Sequence, residues 1–255
     1  MTKCRVNSSS MRLQLLLDMP MRRMSFPLDI ALAIFLILIL FSYSAQAAVE
    51  SDPLEGVNRV THQFNHVLDR VLVKPLAGSY QQLTPEPVKT GVKNFFSNLD
   101  DVRVTFNDLL PFRFVQAASD LTRFAVNSTL GVGGLLNVAD SMFDLKKNPQ
   151  DFGKTLAHWG VGSGPDIVLP LFGPSTVRDS FGLGVDALID PLPAVEHVES
   201  RNSLLAAKTV EFRASVLGFD DLISGDAYLF TRGAYLQYRD HVINGGFADL
   251  AFEDF

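Results

Sequence analysis

Arg232 and Arg239 lie seven residues apart in the stretch 226–244, where Tyr228, Leu229, Tyr235, Leu236, Val242 and Ile243 share one helical face. At 100° per residue the two arginines fall about 20° from each other, inside that apolar stripe rather than opposite it. Arg213 is isolated in a similar way: Lys208, Glu211 and Ser215 form a narrow polar strip on its helix, and Arg213 lies on the far side. A guanidinium among apolar side chains needs a partner, because an unpaired buried charge costs several kcal/mol. Two chemistries meet that need. A carboxylate such as Asp179 or Asp226 would neutralise the charge in a buried pair. A phosphate would accept two parallel N–H bonds from the planar fork, making Arg213, Arg232 and Arg239, with Tyr228 and Tyr235, a site for a phosphate-bearing ligand.

Other constellations fall short of chemistry. His62 and His66 are four apart, a spacing that can share a zinc ion, but Gln63-Phe64-Asn65 between them supplies no glutamate base, so a solvated polar face is expected and no metal. Gly162-Ser163-Gly164 is no nucleophile elbow, since Val161 stands where Gly-x-Ser-x-Gly requires glycine. The run Gly131-Val132-Gly133-Gly134 lacks the last glycine and the preceding strand of a dinucleotide loop and reads as a hinge. The only cysteine is Cys4. With no acid–base constellation, the chain reads as a non-enzyme without a cofactor.

The elements that would position these residues follow from Pro and Gly punctuation, with almost no period-two alternation. The expected fold class is mostly α, with few or no strands. Asp52 caps a first helix, Pro53 suits its first turn and Glu55 completes a capping box. Leu54, Val57, Val60, Phe64, Val67, Leu68 and Val71 form its apolar face, and Pro75 ends it. Thr84-Pro85-Glu86 starts a helix to Phe96. Asp101–Leu110 and Phe114–Leu130 read as two more, and a short one covers Leu135–Phe143. Asp151 caps a helix through Trp159. The segment 160–179, rich in Gly and Pro, is irregular with a short strand at Ile167–Leu169; Ser175 caps the helix that follows, to Ile189. Long helices near Ser203–Gly218 and Asp226–Asn244 complete the domain. Arg178 and Asp179, set at a helix start by the Pro174-Ser175 turn, are expected to support an interior wall rather than a solvated surface.

Residues 1–47 differ from the rest. Arg22 and Arg23 precede an uncharged apolar run, Ile30–Phe41, which is short for a membrane span and suits a signal peptide. Ala45-Gln46-Ala47 then places cleavage before Ala48, leaving residues 48–255 as one domain. Removing the leader takes five basic and two acidic residues from totals of 22 and 28, leaving 17 and 26, a net charge of −9. That balance argues against nucleic acid as a partner.

Four blocks in order resemble the MlaA/VacJ family: SDPLEGVNR (51–59) with Phe64-Asn65; RFAVNSTLGVGGLLNVA (123–139); DFGKTLAHWGVGSGPDIVLPLFGPSTVRD (151–179); and DAYLFTRGAYLQYR (226–239). The motif positions are Asp52, Pro53, Glu55, Asn58, Arg59, Phe64, Asn65, Arg123, Phe124, Asn127, Asp151, Gly153, Gly164, Pro165, Pro170, Gly173, Pro174, Arg178 and Asp179. The resemblance implies a single ring-like helical domain in the inner leaflet of the outer membrane, beside trimeric porins. Such a protein passes mislocalised phospholipid through an amphipathic channel to a soluble periplasmic lipid carrier, with no cofactor and no bond chemistry. It makes Arg213, Tyr228, Arg232, Tyr235 and Arg239 candidates for the lipid conduit or for buried pairs. Two departures stand out. Ala48 occupies the cleavage position where the family carries a lipid-bearing cysteine, so the mature chain is expected to lack an acyl group. Asp166 stands where an aromatic is common. A soluble periplasmic lipid-binding protein, or a structural adaptor of porins that transports nothing, are the competing readings.

Overall fold

The structure, a computed structural model, describes residues 52–245. The expected leader, with its cleavage point between Ala47 and Ala48, lies outside the described residues. The fold is mostly helical, with one two-stranded antiparallel hairpin. The first helix, α1 (Glu55–Leu68), passes through a π-turn (Asp69–Val73) into α2 (Lys74–Leu83). Pro75 therefore does not end the helix. The Lys74 N–H reaches back to the Asp69 carbonyl, and this widened turn accommodates the proline ring and its missing N–H.

A single helix, α3 (Glu86–Leu109), replaces the two expected on either side of 97–100. Its interior polar residues have tertiary partners, so they do not compete with the helix backbone. The Asn98 amide donates to Ser128 Oγ at 2.9 Å, and Lys147 Nζ donates to the Ser97 carbonyl at 2.8 Å. α4 (Phe114–Thr129) packs along α3, followed by the short α5 (Val138–Phe143) and α6 (Phe152–His158). As expected, Asp151 caps α6, accepting from Lys154 N at 2.8 Å.

Strands β1 (Asp166–Leu169) and β2 (Gly173–Thr176) pair with Asp166 opposite Thr176 and Leu169 opposite Gly173. β2 was not expected, and it moves the cap of α7 (Val177–Ile189) from Ser175 to Thr176, whose side chain accepts from Asp179 N. Gly164 before β1 and Gly173 at the start of β2 have φ of +68° and +84°, a region that disfavours any residue with a Cβ. α8 (Val198–Ser215) packs on α2, and α9 (Ala227–Asp240), capped by Asp226, ends in a π-turn (His241–Gly245).

The interior is unusual. Among the described residues, 11 buried apolar side chains are outnumbered by 17 buried polar or charged ones, while 38 large apolar side chains are exposed. The apolar face of α1 and of the π-turn after it points outward: Val57, Val60 and, in the turn, Val71 are 67, 71 and 72% exposed, whereas Asn58 on α1 is 1% exposed. No helix among the described residues is long and apolar enough to cross a membrane.

Candidate functional site

The polar interior converges on the β-hairpin and on the start of α7. Asp179 sits in the first turn of α7, where its charge also favours the positive helix end. Its carboxylate accepts from Arg178 Nε at 2.9 Å, from Arg239 Nε at 3.0 Å and Nη2 at 2.9 Å, and from the Tyr235 hydroxyl at 2.8 Å. Arg239 completes its fork on Asp151, at 2.7 and 3.1 Å. One guanidinium thus joins the cap of α6 to the start of α7. Two glycines permit this approach: a Cβ on Gly153 would fall on the Asp179 carboxylate, and one on Gly182 would meet the Gly153 backbone.

Burial pushes the Asp179 carboxyl up, but hydrogen bonds from Arg178 and the charge of Arg239 outweigh it and hold it below the usual range. Asp151 is likewise held low by Arg239 against its burial. Tyr235 is pushed up by burial and by the Asp179 charge, so its hydroxyl stays a donor.

A second cluster ties α1 and α9 to the hairpin. Arg232 donates to Asp166 Oδ2 from Nε at 2.6 Å. Asp52 accepts from the Leu54 N–H at 3.0 Å, from the Asn58 amide at 3.2 Å and from the Tyr228 hydroxyl. That hydroxyl is pushed up to about 12 by burial and by Asp52. Asn58 also donates to the Asp166 carbonyl at 3.0 Å and accepts from Val168 N at 2.9 Å. Seven residues on, Asn65 donates to the Leu169 carbonyl at 2.9 Å and accepts from Leu171 N at 2.8 Å. The two amides pair with one hairpin edge as a neighbouring strand would, and so satisfy its backbone.

The remaining polar positions also pair. Arg213 donates to Asp69 at 2.7 and 2.9 Å and to Asp220 at 2.8 and 2.9 Å. Arg123 lies 3.4 Å from Asp101 and donates to the Leu145 carbonyl, while Asn127 accepts from Ala139 N at 2.9 Å. Arg59 bonds Glu55 and Asp226 and lies 4.7 Å over the Tyr228 ring. The arrangement has no nucleophile–base pair, and no group of three or more His, Cys, Asp or Glu side chains that could hold a metal exists among the described residues. What it does is lock six elements, α1, the hairpin, α6, α7, α9 and the Asp52 turn, into one rigid frame.

A family model described as MlaA lipoprotein matches residues 50–242. The chain belongs to the MlaA family. An "Intermembrane phospholipid transport system lipoprotein MlaA" of Shigella flexneri is 39% identical over 202 residues, covering 77% of this chain and 80% of that protein. The Escherichia coli (strain K12) protein of the same description is 38% identical over equal shares. A solved structure presented as "Structural basis for maintenance of bacterial outer membrane lipid asymmetry" superposes with a TM-score of 0.67 at 35% identity, covering 76% of this chain and all of that one.

The positions on which the sequence resemblance was read divide by environment. Asp52, Asn58, Asn65, Asp151, Gly153, Arg178 and Asp179 meet around the hairpin. Gly164, Pro165, Pro170, Gly173 and Pro174 shape it: the Pro165 carbonyl accepts from Val177 N at 3.1 Å, and Pro174 pairs with Val168. Arg123 and Asn127 belong to the α3–α4 seam, with Phe124 half-buried beside them. Pro53, Glu55 and Phe64 face outward. The candidate conduit residues Arg213, Arg232 and Arg239 all meet carboxylates, and the cavity beside Arg232, Tyr228 and Tyr235 holds about 10 Å³, room for one water and no lipid. Asp179 is the partner of Arg239, as the sequence suggested; Asp226 instead pairs with Arg59. Sequence reasoning missed the seam itself. Asn94, Asn98, Asp101, Thr105 and Asp108 recur at spacings of four and three, as do Asp120, Arg123 and Asn127 on α4. A polar stripe with helical period on both partners was the signal available.

Proposed function

We propose that this chain is an outer-membrane phospholipid transport component that removes mislocalised phospholipid from the outer leaflet and so maintains lipid asymmetry. One observation carries the reading: a helical frame pinned by buried ion pairs, with its large apolar side chains turned outward. Water would not tolerate such a surface without association, whereas one leaflet of a bilayer would hold it. Leu171 and Phe172 at the hairpin tip and Phe112, Phe114 and Val115 at the α3–α4 turn extend that surface. The likeness to transport lipoproteins and to a structure concerned with lipid asymmetry supports the same assignment.

In this reading the protein resides on the periplasmic side of the outer membrane, beside trimeric porins. It passes lipid through an amphipathic channel to a soluble periplasmic carrier. It moves lipid and makes or breaks no bond. Arg178 supports the interior wall through Asp179. The leader is cut before Ala48; although the relatives are called lipoproteins, the only cysteine here is Cys4, and the mature chain carries no acyl group. The mass of the mature protein tests that point, since a fatty-acid increment would refute it. The function is tested by deleting the gene and measuring outer-leaflet phospholipid, which should rise and return to normal on complementation. A protein that leaves with the periplasm and carries no phospholipid would overturn the reading.

A further inference from the structure

α1, the π-turn and α2 form one continuous helical stretch from Glu55 to Leu83. Its two buried residues, Asn58 on α1 and Ala77 on α2, both point inward. They lie 19 residues apart. At 100° per residue an unbroken α-helix would set them about 100° apart around its axis. A π-turn absorbs one residue more than an α-turn, and the remaining separation makes about five whole turns, which brings the two into line. The same offset relates Val57 to Leu76 and Phe64 to Leu83, and all four are exposed. The π-turn therefore puts the apolar residues of α2 on the same side as those of α1. Arg213, in the last turn of α8, holds that turn. Its fork donates to Asp69, the first residue of the π-turn, at 2.7 and 2.9 Å, and to Asp220 at 2.8 and 2.9 Å. Lys74, the residue after the turn, lies 2.7 Å from Asp220. Both ends of the π-turn are thus tied to the end of α8 and to the turn Leu217–Leu222 that follows it.

We propose that Arg213 is a positioning residue: it latches the π-turn so that α1 and α2 offer one unbroken apolar face to a phospholipid leaflet, an inference that rests on the leaflet residence argued above. At 1.5 Å per residue the stretch is about 43 Å long, more than the ~30 Å of a whole hydrocarbon core, so the face runs along the leaflet rather than through it. Leu72, Leu76 and Leu83 carry on the surface that Val57 and Phe64 begin. Pro75 fits within the widened turn but supplies no tie to α8. Without the latch the turn closes to α-helical geometry, which rotates α2 by about 100° and takes Leu76 and Leu83 off the lipid side.

The test places single nitroxides at Val57, Phe64, Leu76 and Leu83 of the mature protein in vesicles of phosphatidylethanolamine and phosphatidylglycerol, and compares access of oxygen with access of a water-soluble nickel chelate. The wild type should give lipid-like values at all four positions. Arg213→Ala should turn Leu76 and Leu83 water-like and leave Val57 and Phe64 as they were. Arg213→Lys keeps the charge but loses the planar fork, and should not restore them. A second variant removes the need for the latch. Deleting Leu72 together with Pro75→Ala shortens the separation of Asn58 and Ala77 by one residue, so an unbroken α-helix aligns them. All four positions should then stay lipid-like even with Arg213→Ala added, and this variant decides alone where Arg213→Ala by itself does not fold. Lipid-like values at Leu76 and Leu83 in Arg213→Ala, or loss of folding in the shortened variant, overturn the latch. Water-like values at Leu76 and Leu83 alone in the wild type overturn the shared face and leave leaflet residence standing, whereas water-like values at all four overturn both.

Discussion

α1 and α3 are both amphipathic with the same three-and-four spacing, yet they are mounted in opposite senses. α1 turns its valines and Phe64 outward and buries Asn58; α3 buries Asn98, Asp101, Thr105 and Asp108 against α4 and leaves Phe106 52% exposed. In water the first arrangement would waste apolar burial and the second would cost desolvation. The two are compatible only where the outside is itself apolar and the inside finds partners for most of its polar groups. Periodicity fixes which residues share a face, and the solvent decides which face goes in.

The sharpest way to break this comparison is to unpair the interior. Asp179→Ala strands Arg178 and leaves Arg239 with Asp151 alone, and stability in detergent should fall by about 3–5 kcal/mol. Denaturant unfolding checks it; a loss within 1 kcal/mol would mean the network is replaceable by solvent. Acid attacks the same groups. Asp151 and Asp179 are held below the ordinary range, so their contribution is complete above about pH 4 and is lost as pH falls through their folded values. Arg239→Ala removes the cation the two share, leaving Asp179 with Arg178 alone, so thermal melts of this variant should depend less on acidification than those of the wild type.

A smaller effect is expected at the hairpin edge. Asn58→Ala leaves Val168 N and the Asp166 carbonyl without their partner and should cost about 1–3 kcal/mol. Restoring the amide as Gln should not rescue it, since the longer side chain misplaces both bonds. The smallest effect on the fold belongs to the outer face. Val60→Ser should change stability in detergent by no more than about 0.5 kcal/mol. Its binding to phospholipid vesicles should weaken by about 1 kcal/mol, read from flotation.

These outcomes bear on what was legible in the chain itself. The need of Arg213, Arg232 and Arg239 for partners followed from their apolar neighbours, and Asp179 was a visible candidate. Asp166, the partner of Arg232, was open to pairing with an arginine, whereas Asp69, Asp151 and Asp220 were not visible as partners. Asp69 meets Arg213 from the π-turn that replaced an expected stop at Pro75, and Asp220 meets it from the turn that follows α8. The α1 face was legible as a stripe but not as an exposed one, because a periodic pattern carries no statement about its surroundings. The break expected near 97–100 failed for a related reason. Ser97 and Asn98 look like helix interrupters until Lys147 and Ser128, 50 and 30 residues away, occupy their hydrogen bonds. The hairpin clasp by Asn58 and Asn65 likewise spans more than 100 residues and leaves no local trace.

The central claim is that the outer face of α1, continued through the π-turn that carries Val71, lies in lipid. With Cys4 as the only native cysteine, and in the segment expected to be removed, a nitroxide can be placed singly at Val57, Val60 or Val71 of the mature protein in phospholipid vesicles. Collision rates of each label with molecular oxygen and with a water-soluble nickel chelate then report its surroundings. The account predicts high oxygen and low nickel access at all three positions. Nickel access as high as that of a label on a water-exposed loop would place α1 in water and contradict it.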